Sequence, residues 1–170
     1  PISVEVSPQL RVGAITGPNT GGKTVTSKSI GLAALMARAG MLLPCSGQPS
    51  LPWCAQVLAD IGDEQSLQQS LSTFSGHVKR IGRILEALQR GSAPALVLLD
   101  EVGAGTDPSE GTALATALLK ALADGARLTI ATTHFGELKA LKYDDARFEN
   151  ASVAFNPETL SPTYELLWGI

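Results

Sequence analysis

The eight residues Gly17-Pro18-Asn19-Thr20-Gly21-Gly22-Lys23-Thr24 fit the pattern G-x-x-x-x-G-K-[ST], which restricts the possible folds of this chain more than any other stretch. The pattern has its chemical meaning only between a strand and a helix, and both neighbours are legible. Arg11 to Thr16 reads as a short buried strand, and Lys23 to Arg38 as an apolar helix. Glycines at 17, 21 and 22 let the backbone turn tightly and aim its N–H groups at an anion, with no side chain blocking the approach. The positive end of the helix dipole and the Lys23 ammonium add to that field. Gly17 to Thr24 are therefore the candidate ATP-binding residues, with the Thr24 hydroxyl a candidate ligand for a magnesium ion bridging the phosphates.

A second set of polar residues stands at strand ends further on. Ala95-Leu96-Val97-Leu98-Leu99 is continuously apolar, the pattern of a parallel strand covered on both faces, and it runs straight into Asp100-Glu101. Asp100 suits magnesium, held directly or through water. Hydrolysis also needs a group that orients and deprotonates a water in line with the γ-phosphate, and Glu101 is the candidate base. The strand Leu128 to Thr132 ends at Thr133-His134, whose imidazole can donate to the γ-phosphate or the attacking water. In doubly wound sheets ligands gather beyond the carboxyl ends of the strands, where all of these residues fall. The candidate catalytic residues are thus Glu101, His134 and Lys23.

The remaining chain fits an α/β layered domain with a mostly parallel sheet and antiparallel edge strands. Pro1 to Gln9 alternates like an edge strand. Leu42 to Pro52 is a proline-rich loop, and Gln56 to Ile61 another strand. Ser66 to Gly76, rich in Ser and Gln, reads as a surface loop before an amphipathic helix from His77 to Gln89. A helix from Ser109 to Ala123 and a short one ending at Leu141 follow. Ala151 to Phe155 and Thr163 to Leu167 read as a closing hairpin. Asp60, Asp63 and Glu64 read as solvated acids at a turn, His77 as a surface residue, and Trp53 and Trp168 as packing residues rather than adenine stackers.

At 170 residues with 44% hydrophobic side chains the chain suits a single domain. Its start without Met and its stop after a strand-like run are those expected of a piece of a longer protein. The net charge of −3, with no basic stripe, places any nucleic-acid contact outside this segment. No run of about 18 apolar residues appears, so neither a membrane span nor a membrane partner is expected. A nucleotide loop implies the cytoplasm, and hence Cys45 and Cys54 as free thiols.

These stretches, in this order, resemble the ABC-type ATPases and more closely the ATPase domain of the MutS family. Thr16 to Thr24 is similar to the MutS phosphate loop, Leu98-Leu99-Asp100-Glu101 with Gly103 and Gly105-Thr106 to its Walker B and D-loop, and Ala131-Thr132-Thr133-His134 to its switch histidine. Ser72-Thr73-Phe74 is similar to its signature loop. The wording of Asp60 to Ser66, Leu71 to Ser75 and Glu149 to Val153 is nearer still to the second bacterial MutS paralogue, the branch carrying a C-terminal Smr nuclease domain. The resemblance implies a P-loop fold and a homodimer with ATP sandwiched at its interface. Ser72 of one subunit would contact the γ-phosphate bound by the other, in trans. It further implies double-stranded or branched DNA, or a stalled ribosome, as partners engaged through other domains. Two other readings stay open: a structural dimerisation module with incidental turnover, and the ATPase domain of a true mismatch-recognition member. A small-molecule kinase fits less well, because Asp100-Glu101 and His134 suit attack by water.

Overall fold

A computed structural model of the protein describes residues 3–17, 22–62, 70–91, 93–156, 158–159 and 161–169, with side chains in the second helix from residue 74 onward. The order is β1 (Val12–Thr16), α1 (Lys23–Arg38), β2 (Gln56–Asp60), α2 (Ser70–Arg90), β3 (Ala95–Leu99), α3 (Pro108–Gly125) and β4 (Leu128–Thr132). A 3₁₀ turn (Gly136–Ala140), α4 (Leu141–Asp144), β5 (Phe148–Asn156) and β6 (Ser161–Trp168) complete the chain. The six strands form one sheet in the order β2-β3-β4-β1-β5-β6. Every pairing is parallel except β5 with β6. The closing hairpin therefore extends the sheet as its sequence predicts, and β5 starts three residues earlier, where Phe148 pairs with Val12.

Strands β1, β3 and β4 are buried at every position, as continuous apolar runs between two helical layers must be. The two-residue strand period then divides the core. Ile15, Leu96, Leu98 and Ile130 join Ala34 of α1 on one face, while Val97, Leu99 and Ala131 join Ile84 of α2 and Leu118, Leu119 and Leu122 of α3 on the other. The first turn of α3 is fixed by its cap. Asp107 accepts from the Ser109 hydroxyl and from the main-chain N–H groups of Ser109 and Glu110, and these bonds hold its carboxyl below the usual range. Cys45 and Cys54 are both free thiols, the first exposed and the second buried. No described helix is long and apolar enough to cross a membrane.

Three expectations are corrected. Among described residues 3–9 the only ladder contact is a single parallel bridge from Ser3 to Glu165. The segment sits at the sheet edge but forms no strand there, since it buries too little to order a ladder. Residues 66–69 lie outside the described residues, and from Ser70 the stretch is helical; Phe74 extends the Val78, Ile81, Leu85, Leu88 stripe backwards, a period that the Ser and Gln content obscured. Helix α1 buries Thr26, Ser27, Gly31 and Ala34 and leaves Val25, Leu32 and Leu35 about half exposed. Small residues face the sheet because the approach is close: a Cβ on Gly31 would lie 2.5 Å from Leu98 Cδ1.

The bend from α4 into β5 rests on charge. Arg147 grips Asp145 through Nε and Nη2, the latter 2.8 Å from Oδ2, and reaches Asp124 Oδ1 at 2.7 Å. The Arg147 carbonyl accepts from the Arg11 and Val12 amides, so this bend also seats the start of β1. Hydrogen bonds from Arg147 lower the Asp145 carboxyl from 3.8 to about 2. A folded-state value below the unfolded one contributes stability that is present above pH 3.8 and lost as the pH falls through about 2. The melting-temperature gap between wild type and Asp145→Asn is therefore expected to be present at neutral pH and to close across that acid window. A gap unchanged down to pH 2 would show that the ion pair contributes nothing.

Candidate functional site at the carboxyl edge of the sheet

Three parallel strands bring their carboxyl ends together, and each delivers polar groups to the same place. β1 leads through Gly17 towards the start of α1, where Lys23 is 1% exposed. Its Nζ lies 3.3 Å from Glu101 Oε1 and 3.4 Å from the Thr133 carbonyl. A buried ammonium is tolerated only with such partners. Next to it the Thr24 hydroxyl is 2.9 Å from Asp100 Oδ2. Asp100 is itself buried and accepts a short bond from the Thr132 hydroxyl. The same Thr132 oxygen accepts from the Glu101 amide at 2.9 Å. Thr132 thus ties the Asp100 carboxylate to the Glu101 main chain across the β3–β4 pair. Sequence reading placed Thr132 only as a strand terminus, because its role depends on which strand becomes β3's neighbour.

His134 completes the group, with Nδ1 2.9 Å from Glu101 Oε2. An ionised carboxylate only accepts, so Nδ1 carries the proton of this bond, on a half-exposed side chain. Glu101 has φ 50°, uncommon for a residue with a side chain. Strained backbone of this kind persists where surrounding contacts over-determine it, and here they do. Past Glu101 the chain turns at Gly103, where a Cβ would meet the Gly111 carbonyl oxygen of α3 at 2.5 Å and the Phe135 ring at 2.8 Å. The Phe135 ring in turn lies 4.2 Å from that of His134.

Of the sequence-predicted residues, Lys23 and His134 both contact Glu101, and Thr24 contacts Asp100, the neighbour of Glu101. Gly17 and Gly22, at φ 129° and 85°, bracket the loop. Pro18, Asn19, Thr20 and Gly21 lie outside the described residues. Ser72 falls in the first turn of α2, its side chain outside the described set. Thr24 and Asp100 present hard oxygens side by side, a donor set suited to magnesium that takes its other ligands from water and phosphate. Among the described residues no cluster of three acidic, histidine or cysteine ligands offers a protein-only metal cage.

Two assignments change. Asp60 is 2% exposed rather than solvated, and His77 is its partner rather than a surface residue, with Nδ1 2.6 Å from Asp60 Oδ2. Trp168 packs against Gly13 and Ile130 in the core, as expected, whereas Trp53 is exposed and does not pack in the core of this chain. An aromatic that sequence reading passed over stands beside the loop. Tyr164 of β6, at φ 58°, puts its ring 3.0 Å from where a Gly22 Cβ would be.

The fold and site together define an α/β domain whose parallel strands present a buried lysine, two carboxylates and a histidine at one edge. A family model described as MutS domain V matches residues 13–166, and the chain belongs to that family. It is similar to proteins named endonuclease MutS2: 63% identical over 185 aligned positions to that of Synechocystis sp., 55% to that of Symbiobacterium thermophilum and 52% to that of Thermomicrobium roseum. All of this chain is covered in each case, but only 22%, 21% and 21% of the relatives. The chain spans about a fifth of their length.

The crossing of Gly103 over Gly111 has a measurable consequence, since a Cβ on Gly111 would lie 2.4 Å from the Gly103 oxygen. Because backbone rather than a flexible side chain must yield, Gly111→Ala is expected to cost about 1–3 kcal/mol in denaturant unfolding. A variant as stable as wild type would mean that the 101–106 turn is not held by this contact.

Proposed function

We propose that this domain is a P-loop, ABC-like ATPase module, that it binds ATP with magnesium, and that a second copy of the chain closes the site. The observation that carries the reading is the convergence of Lys23, Glu101 and His134 with Thr24 and Asp100 at the carboxyl edge of β1, β3 and β4. Lys23, at the amino end of α1, supplies charge to the β- and γ-phosphates alongside the loop amides. Magnesium held by Thr24 and Asp100 would neutralise charge on the phosphate oxygens. Glu101 takes the proton of the attacking water as its oxygen bonds to the γ-phosphorus and the bond to the β-phosphate oxygen breaks, giving ADP and phosphate. His134, bonded to Glu101 through Nδ1, orients that carboxylate, and its second ring nitrogen would serve the γ-phosphate or the attacking water. Tyr164 offers the adenine a face beside Gly22.

Ser72 of the partner completes the γ-phosphate contacts in this reading, and its position in the first turn of a 21-residue helix favours an anion. Half the stabilising donors then belong to the other subunit, so occupancy and association are one event. We further propose that ATP turnover in the cytoplasm drives clamping of a MutS-like protein on branched DNA or a stalled ribosome through other domains. What supports a nucleic-acid role is that the similar proteins are named endonuclease MutS2.

Glu101→Gln is expected to retain ATP while slowing hydrolysis about 100-fold or more, and Lys23→Ala to weaken binding itself. Nucleotide affinity and single-turnover rates separate the two, and wild-type hydrolysis by Glu101→Gln would remove Glu101 as the base. Mixing Ser72→Ala with Lys23→Ala subunits rebuilds one intact composite site. Specific activity that rises on mixing supports the shared site, and none at a concentration where wild type pairs would refute it.

A further inference from the structure

Asp60 lies at the end of β2 and is tied in two directions. Its carbonyl accepts from the Asp100 amide at 2.9 Å, so its main chain is joined to the residue proposed to hold magnesium. Its buried carboxylate reaches the other way, to His77 Nδ1 at 2.6 Å and to Arg80 Nε, both on α2. Across the sheet–α2 layer, α2 touches the β3 side a second time. A Cβ on Gly105, in the turn after Glu101, would lie 3.3 Å from Phe74 Cβ. Between these contacts runs a narrow cleft lined by Asp60, Phe74, His77, Asp100, Glu101 and Gly103, with room of about 20 Å³, roughly one water. Helix α2 is therefore held at two points, by Asp60 at the end of β2, which is bonded to the Asp100 amide, and by the turn that follows Glu101.

Both points lie in the first three turns of α2, and Ser72 is five residues before His77, about 7–8 Å along the axis at 1.5 Å per residue. A regular helix transmits the position of one turn to the next, so the Asp60 anchor sets where the amino end of α2 stands relative to the sheet. We propose that Asp60, through His77 and Arg80, is a positioning residue for the Ser72 turn, linking the phosphate site of one protomer to the serine contribution it makes to its partner's site. This rests on the shared-site reading above. Its consequence is directional: removing the Asp60 carboxylate harms the partner's site and spares the protomer's own loop.

The test uses the natural-length polypeptide. Asp60→Ala is expected to bind ATP within about two-fold of wild type and to lose kcat by about ten-fold or more, with KM little changed. Mixed with Lys23→Ala, it regains turnover, because the Asp60→Ala loop is then completed by a Ser72 turn whose own Asp60 is intact. Activity matching that of wild type mixed with Lys23→Ala is the expected level. A mixture no more active than Asp60→Ala alone, or an Asp60→Ala protein that cannot bind ATP, places its effect within one protomer and overturns the proposal. Arg80→Ala, at a partly exposed residue, gives a second reading should Asp60→Ala melt early. The same pattern in weaker form is expected, and wild-type kcat in Arg80→Ala would overturn the link. The Ser72→Ala and Lys23→Ala mixture is the control. If that recovers while the Asp60→Ala mixture does not, only the Asp60 link fails; if neither recovers, the shared site itself fails.

Discussion

Everything at the carboxyl edge depends on keeping the Lys23 ammonium out of water. An amine so deeply covered needs a counter-charge and an acceptor within reach, and it finds them in Glu101 and the Thr133 carbonyl. Those two groups sit on the ends of β3 and β4, so satisfying one side chain requires three separate strand ends to meet. The requirement is mutual. Glu101 can be half-enclosed beside a histidine only because the lysine is there, and its strained φ of 50° is sustained by the Thr132 hydroxyl and the Gly103 turn that follow from the same packing.

The sheet supplies the accuracy that this arrangement demands. Parallel register pairs Leu99 with Ala131 and Ile15 with Thr132, so Asp100, Thr133 and the loop after Thr16 all leave the sheet at one level. A slip of a single residue would turn the polar ends to opposite faces and bury the wrong side of each strand. Close contacts without intervening side chains keep the layers at fixed distance. Gly31 seats α1 on Leu98, and Gly103 crosses Gly111 beside Phe135, whose ring also touches His134. Displacing the turn after Glu101 therefore means displacing α3 or the histidine.

Helix α2 stands apart from that rigid centre in its mode of attachment. Its middle packs by apolar side chains against the core, but near its amino end it meets the sheet through a buried carboxylate with directional bonds to His77 and Arg80. Apolar contacts tolerate sliding, whereas a charged acceptor with fixed donors defines a position. The Asp100 strand end and the first turns of α2 are thereby joined through one residue, Asp60.

Much of the architecture was legible because period and punctuation are local. Five-residue apolar runs marked β3 and β4, Lys23 to Arg38 marked α1 to the residue, and the carboxylates and histidine at strand ends could be assigned to one edge before any coordinates. The sequence misled where partners decide. Asp60 and His77, seventeen positions apart, look like surface residues until β2 and α2 pack and each becomes the reason the other is buried. The Ser-rich start of α2 looks like a loop until Phe74 is read as the first residue of the stripe that continues through Val78 and Ile81. By itself the sequence determined the alternation of strands and helices and the chemical types gathered at one edge, because hydrophobic period and loop patterns act over a few neighbouring residues. Only the tertiary structure decided the strand order, the Thr132 link between the Asp100 carboxylate and the Glu101 amide, and the Asp60 anchor, because each is a distance between groups far apart in the chain.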